Sequence, residues 1–132
     1  MTERRTESVC RLRQWPCKLN AMPETAPYLD GAELLIAADC TAYAYGSIHT
    51  DFMQGKITLI CCPRQTERES TEKLTRVLQE NPPAAITLLR MEVSCCDALE
   101  RAVHAALSAV GEEIPLRTVI LSTDGKILSD TD

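Results

Sequence analysis

The sequence predicts a three-layer α/β domain with a mainly parallel sheet of at least four strands and a short C-terminal hairpin. Short apolar runs with little alternation are typical of buried parallel strands. Four such runs occur, at Leu34–Ala38, Ile57–Ile60, Ala85–Met91 and Thr118–Ser122. The segments between them have helical patterns, and this alternation implies right-handed crossovers with helices on both faces of the sheet. A domain of this kind is Rossmann-like.

An amphipathic helix is predicted between the second and third strands, from Glu67 to Glu80. Its apolar residues recur at helical spacing, at Leu74, Val77 and Leu78. We expect Thr66 and Glu69 to form a capping box at its start. Asn81-Pro82-Pro83 ends it, because proline cannot continue a helix.

The other connections are also predicted from local patterns. Asp97 to Val110 forms a second amphipathic helix, with Gly111 in the left-handed position just after it. A shorter and less regular helix is expected between Cys40 and Lys56. Asp124-Gly125 indicates a turn into a final antiparallel strand.

Length and composition indicate one globular domain. The chain has 132 residues, of which 45% are hydrophobic and 25% charged, as in ordinary globular proteins. We place a polar, mobile arm at residues 1–11 and a single cysteine-rich domain at residues 12–132. Arg11 to Leu19 contains Pro16, so it is predicted to be an edge strand or an extended arm lying on the domain.

The charge balance and apolar pattern exclude some classes of partner. Fourteen basic and nineteen acidic residues give a net charge of −5, which argues against a nucleic-acid grip. No apolar stretch approaches the ~18 residues of a membrane span. The N-terminus shows no secretory signal, so we expect a cytoplasmic, reducing environment in which the cysteines are free or bind metal.

The cysteines are the main functional signal. Seven are present, and five of them follow predicted parallel strands; we call these five the thiol rim: Cys40, Cys61, Cys62, Cys95 and Cys96. Ligands of open α/β sheets bind at this edge, and a helix N-terminus favours the thiolate form. The alternative is packing, because cysteine is also a small hydrophobe and Cys61 could simply fill core space.

Residues other than cysteine could also contribute to a site at the thiol rim. His49 follows Cys40 by nine residues and is either a further ligand or proton carrier at the rim, or an exposed histidine. Arg90 and Glu92 flank the end of the third strand and are expected to form an ordinary ion pair or to hold a ligand. Neither a phosphate loop nor a G-x-G-x-x-G or G-x-S-x-G motif is present, which disfavours nucleotide-binding enzymes and serine hydrolases.

Several motifs resemble a cysteine-rich domain of anaerobe proteins, from about Leu12 to Leu128. They are Arg13-Gln14-Trp15-Pro16, Ala26-Pro27-Tyr28, Leu34–Cys40, Cys62-Pro63, Arg90-Met91-Glu92-Val93 and Cys95-Cys96. In that family the domain follows a ferredoxin-like module with two [4Fe–4S] sites, and the whole is called an iron–sulfur cluster-binding protein. The run of cysteines that such a module needs is missing here.

The resemblance implies a ligand set. Cys40, Cys62, Cys95 and Cys96 fall on family cysteines, and His49 falls on a family histidine. The sequence departs from the family at Cys61 and Cys17, where glycine and valine are expected, and at Asp97-Ala98, which replaces two glycines.

Three functions follow as hypotheses. The first is an accessory domain of redox metabolism that binds a metal ion (Zn or Fe) or an iron–sulfur cluster through Cys40, Cys62, Cys95, Cys96 and His49. The second is a thiol-based oxidoreductase or transferase with a helix-N-terminal cysteine. The third is a docking module for a ferredoxin-type electron-transfer protein. Cys10 and Cys17 are predicted to be free thiols of the arm.

Overall fold

The computed structural model describes residues 9–132 and confirms the predicted fold. Five strands form one sheet: β1 Glu33–Ala37, β2 Ile57–Ile60, β3 Ala85–Met91, β4 Leu116–Leu121 and β5 Ile127–Thr131. Their order across the sheet is β2-β1-β3-β4-β5. The first four strands are parallel, and β5 pairs antiparallel with β4 to make the C-terminal hairpin.

The strand order brings three carboxyl ends together. β1 lies between β2 and β3, with Leu34 opposite Ile57 on one side and Ile86 on the other. The chain therefore builds outward in opposite directions from β1, and the crevice between β1 and β3 is the topological switch point of the sheet.

Helices and short turns connect the strands. The helices are α1 Thr41–Ala44, α2 Glu67–Glu80 and α3 Asp97–Val110, and a five-residue π-type turn spans His49–Met53. α2 and α3 pack against each other on one face of the sheet. Right-handed crossovers place α1 and the π-type turn on the opposite face. The long helices, β2 and β3 have the predicted bounds, while β1 begins one residue earlier than predicted and β4 two residues earlier.

The sheet and the long helices share one aliphatic core. Leu74, Val77 and Leu78 of α2 and Leu99 and Val103 of α3 are at most 1% exposed. Burying one such side chain contributes roughly 1.5–3 kcal/mol. The amphipathic pattern of each helix therefore determines which of its faces covers the sheet.

The sequence predicted the capping of the start of α2 wrongly and that of the end of α3 correctly. The predicted capping box of α2 is wrong: Thr66 is the N-cap residue, but its side chain caps no backbone N–H. Its Oγ1 instead lies 3.5 Å from the Ser70 Oγ, one helical turn on. At the end of α3, Gly111 has φ 77° and its N–H donates to the Leu107 carbonyl, as predicted.

The N-terminal segment lies along the outer edge of β2 as an extended arm. The predicted mobile arm falls mostly on residues 1–8, which lie outside the described residues. Beyond it, Lys18 forms an isolated parallel bridge with Ile60. The Ile60 N–H donates to the Cys17 carbonyl at 2.9 Å, and the Leu19 N–H donates to the Ile60 carbonyl at 3.0 Å. The segment thus pairs with β2 over one residue only.

The π-type turn contacts strand β4 through Phe52. The guanidinium carbon of Arg117, on β4, lies 5.6 Å from the centre of the Phe52 ring. Within residues 9–132, no helix has both the length and the apolar content needed to cross a membrane.

Candidate thiol site

The thiol rim lies at the carboxyl edge of the sheet. Cys40 follows β1 and is the N-cap residue of α1, and Cys96 is the N-cap residue of α3. All five rim cysteines, and Cys10 and Cys17, are free thiols. Cys40 and Cys62 are exposed, Cys95 is half-buried, and Cys61 and Cys96 are buried.

The pKa of Cys40 is influenced by thiols of the two neighbouring loops. Burial raises the pKa of the Cys40 thiol, and the nearby thiolates of Cys95 and Cys62 raise it further. The neighbouring Cys96 thiol acts in the opposite direction and lowers the pKa of Cys40. Cys40 follows β1, Cys62 follows β2, and Cys95 and Cys96 follow β3, so the loops at the carboxyl ends of three adjacent parallel strands carry these thiols. We call these four residues the four-thiol group.

Cys96 is the fixed member of the four-thiol group. Its side chain is 4% exposed, and its Sγ accepts a hydrogen bond from the Met91 N–H at 3.4 Å. Burial is the main reason that its pKa rises from 9.0 to about 11; the charges of Cys40 and Cys95 add to the effect, and Arg90 opposes it. Cys96 therefore holds its proton at neutral pH when no cation is bound nearby.

Arg90 fixes the turn that carries the cysteine pair. Its guanidinium, only 9% exposed, forms ion pairs with Asp97 and Glu100, both at 2.8 Å. It also donates to the carbonyls of Met91 and Val93. The expected pair with Glu92 does not form; the Glu92 carboxylate instead accepts from the Thr123 N–H. Both acids that bind Arg90 are in α3, so the guanidinium joins the end of β3 to the start of that helix.

Cys61 differs from the rest of the thiol rim. Its side chain is 7% exposed and belongs to the hydrophobic core, and its thiol donates to the Ser70 hydroxyl at 3.6 Å. Burial raises its pKa. The packing role considered for this residue agrees with its surroundings.

A positively charged side chain, that of Lys18, lies beside the loop that follows β2. The Lys18 ammonium is 3.1 Å from the Asp39 carboxylate, and that carboxylate is the main reason for the raised pKa of Lys18. The thiolate charges of Cys61 and Cys62 also raise it. The arm thus supplies one positive charge to the side of the site that contains Cys62.

His49 is not brought together with the four-thiol group. Its Nδ1 accepts a hydrogen bond from the Arg11 N–H at 3.1 Å. Its ring lines a different cavity, together with Cys10 and Cys17. The sequence placed His49 after the same strand as Cys40. No pattern in the sequence showed that its Nδ1 would bind the N-terminal arm.

The side chains do not stand in a finished metal geometry. Among residues 9–132, no three His, Cys, Asp or Glu side chains are arranged so that they could hold a metal ion as they are placed. Cys40 and Cys62, the exposed members of the four-thiol group, are open to solvent at this edge.

Comparison with known proteins shows the family. The Rossmann-like domain family matches residues 26–132, so the chain belongs to it. The chain is also similar to an uncharacterized protein of Archaeoglobus fulgidus, with 28% identity over 116 residues that cover 88% of this chain and 82% of the relative. No solved structure matches the chain significantly.

Proposed function

We propose that the domain binds a thiophilic metal ion or an iron–sulfur cluster through Cys40, Cys62, Cys95 and Cys96, as an accessory domain of redox metabolism. The observation that carries this proposal is that Cys40, Cys62 and the Cys95–Cys96 pair follow the carboxyl ends of three adjacent parallel strands, β1, β2 and β3. Thiols scattered for packing alone would not need to meet at one edge.

The donor set fits a soft metal centre. Four thiolates are the usual ligands of zinc and of iron–sulfur clusters. The raised pKa values of Cys40 and Cys96 arise from burial and from neighbouring negative charge. A bound cation reverses both effects, because it stabilises thiolates and metal binding releases their protons. When bound, such a group would supply electron transfer or Lewis-acid chemistry.

The protein's own contribution is positioning. Cys96 accepts a hydrogen bond from the Met91 N–H, and Arg90 fixes its turn by bonds to Val93 and Asp97. Cys40 and Cys62, in contrast, are exposed. A site with one fixed thiol and two mobile thiols can close around an ion with small rotations. His49 is left out of this ligand set because it faces the arm.

The resemblance to the cysteine-rich domain of ferredoxin-like iron–sulfur proteins supports the same proposal. In that family the domain accompanies a ferredoxin-like module. We propose that a ferredoxin-type protein is the electron-transfer partner of this domain.

The experiment is metal and acid-labile sulfide analysis of chain purified without oxygen, with its visible spectrum, followed by Co²⁺ titration of the metal-free chain. We expect thiolate-to-metal absorption in wild type, and its loss in Cys40→Ser and Cys62→Ser. Cys17→Ser is the matched control, because Cys17 is a free thiol in the arm and should leave the absorption unchanged.

Other outcomes separate the alternatives. Wild-type chain that binds neither Co²⁺ nor a cluster, with all thiols titratable, would overturn the proposal. Turnover of a thiol substrate without metal would support the thiol-enzyme alternative, although the raised pKa values of Cys40 and Cys96 oppose activation of those thiols. Partner binding that survives loss of the whole four-thiol group would support the docking alternative.

A further inference from the structure

A cavity lies at the amino edge of the sheet, at the opposite end of the strands from the four-thiol group. Its volume is about 530 Å³, which lies within the usual range for small-molecule sites. Its lining includes Glu33, Ala85 and Leu116, which begin β1, β3 and β4. We call it the amino-edge cavity; no cysteine lines it.

The strand register places four of the lining side chains on one face of the sheet. Glu33 pairs with Ala85, and Thr87 pairs with Arg117. Because side chains alternate between the two faces of a strand, these four share the face on which Arg117 contacts Phe52. The methyl side chain of Ala85 leaves space between its longer neighbours.

Arg117 has donor capacity left after its ion pair with Asp130. Its Nε and Nη2 donate to the Asp130 carboxylate at 2.8 and 2.7 Å. A guanidinium has five N–H donors, so Nη1 can donate to another acceptor. Thr87 is only 6% exposed and lines the same cavity. Since paired residues of neighbouring strands stand about 4.8 Å apart, the Thr87 hydroxyl can be a second donor to one ligand carboxylate.

Two opposite charges of the cavity have no ion-pair partner. Among residues 9–132, neither Glu33 nor Lys56 forms an ion pair. Glu33 is on the strand beside Thr87 and two residues out of register with it. With strands about 4.8 Å apart and a rise of about 3.3 Å per residue, their Cα atoms are about 8 Å apart. A small ligand can reach both side chains.

The charges that line the cavity are balanced, with Lys56 and Arg117 positive and Glu33 and Asp132 negative. A ligand of a single sign would lie close to two groups of its own sign, and like charges repel. A ligand that carries both signs can place each of its charges beside an opposite one. The lining therefore favours a zwitterion over a simple anion or a simple cation.

We propose that the amino-edge cavity binds a small zwitterion with one carboxylate and one ammonium group, the chemistry of a free amino acid. The carboxylate accepts hydrogen bonds from Arg117 Nη1 and the Thr87 hydroxyl, and Lys56 adds positive charge on the same face. The ammonium pairs with Glu33. A few polar groups of fixed position, each matched to one part of the ligand, are what give small-molecule sites their selectivity.

The test uses three probes with the same phenyl group: L-phenylalanine, 3-phenylpropionate, which lacks the ammonium, and 2-phenylethylamine, which lacks the carboxylate. Each is titrated into the full chain and followed by ¹H–¹⁵N chemical shifts. We expect saturable shifts at the starts of β1, β3 and β4. L-phenylalanine should bind at least about tenfold more tightly than either analogue, because each analogue leaves part of the site unpaired.

Variants assign each contact. Glu33→Gln should reduce the affinity for L-phenylalanine to that for 3-phenylpropionate, whereas Glu72→Gln is the matched control, because Glu72 lies on α2 and pairs with Arg68. Thr87→Val should weaken L-phenylalanine but not 2-phenylethylamine, and Thr87→Ser, which keeps the hydroxyl, should bind like wild type. Equal affinity for the three probes, or no saturation at millimolar concentration, would overturn the proposal. Metal binding should be unchanged in Glu33→Gln, so the two proposals fail separately.

Discussion

Arg90 and Asp97 form a 2.8 Å ion pair that joins the end of β3 to the first residue of α3. Asp97 stands where the resembling family has glycine. The carboxylate at this position gives the turn that carries Cys95 and Cys96 a second attachment to Arg90, beside the one from Glu100.

Replacing Arg90 with methionine should destabilise the domain by about 2–3 kcal/mol, because breaking a buried ion pair leaves its partners unpaired. The acids here are partly exposed, so the cost falls below that of a fully buried pair. Urea unfolding measures it. Arg101→Met is the matched control: Arg101 pairs with Glu67 on the surface, and its loss should cost much less. An equal loss of unfolding free energy in the two variants would show that the Arg90 ion pairs stabilise the domain no more than an exposed pair does.

Cys96 should make stability fall in alkaline solution. Its pKa is raised to about 11 in the folded state by burial, above the ordinary 9.0. Folding therefore favours the protonated thiol, and the stabilisation is complete below pH 9 and is lost as the pH rises toward 11.

Two measurements check this alkaline effect. The free energy of unfolding of metal-free chain should decline less between pH 9 and pH 11 in Cys96→Ala than in wild type. Iodoacetamide labelling of Cys96, followed by mass spectrometry, should remain slow at pH 8 and accelerate toward pH 11. Rapid labelling at pH 8 in fully folded chain would show that the thiol is not protected.

The C-terminal hairpin should weaken in acid. Two hydrogen bonds from Arg117, at 2.8 and 2.7 Å, hold the pKa of Asp130 below its ordinary 3.8. The pair's contribution is present above pH 3.8 and is lost as the pH falls through the lower, folded-state pKa. Asp130→Asn should cost about 0.5–1 kcal/mol at pH 7. Thermal unfolding at pH 7 and pH 2.5 checks this, since the difference between the variant and wild type should shrink at the lower pH.

Gly125 should tolerate no side chain. Its φ is 88°, and a Cβ there would lie 2.5 Å from the Ala44 carbonyl oxygen, a backbone atom of α1. Gly125→Ala should cost more than about 2 kcal/mol, since an unfavourable φ alone accounts for 1–2 kcal/mol. Gly46→Ala is the control, because nothing lies within 4 Å of its Cβ position. Chemical denaturation of the two variants should differ clearly.

The fold could be predicted because local patterns decide most of it. The spacing of Leu74, Val77 and Leu78 defines the buried face of α2, and the left-handed φ of Gly111 ends α3, so both signals lie within a few residues of what they determine. The capping box failed because Thr66 and Ser70 hydroxyls meet each other instead. Competition between nearby hydroxyls is not visible in a spacing pattern.

The surroundings of the candidate site depend on long-range contacts that the sequence does not show. The strand-end positions of Cys40, Cys62 and Cys95 followed from the parallel topology, which places all carboxyl ends at one edge. The position of His49 depends on a hydrogen bond to Arg11, 38 residues away. The cavity that His49 lines likewise joins residues of the N-terminal segment, β2 and the π-type turn, and no local motif connects them.

The bridge between Lys18 and Ile60 has a consequence for self-association. An exposed edge strand is a template for pairing with another chain, and β2 is a short, apolar edge strand of this sheet. The backbone bonds from Cys17 and Leu19 already occupy the Ile60 N–H and carbonyl. Cutting the chain after Lys18, by truncation or by a protease, would free the Ile60 N–H from the Cys17 carbonyl, and the product should pair with other chains through β2 more readily than the intact chain.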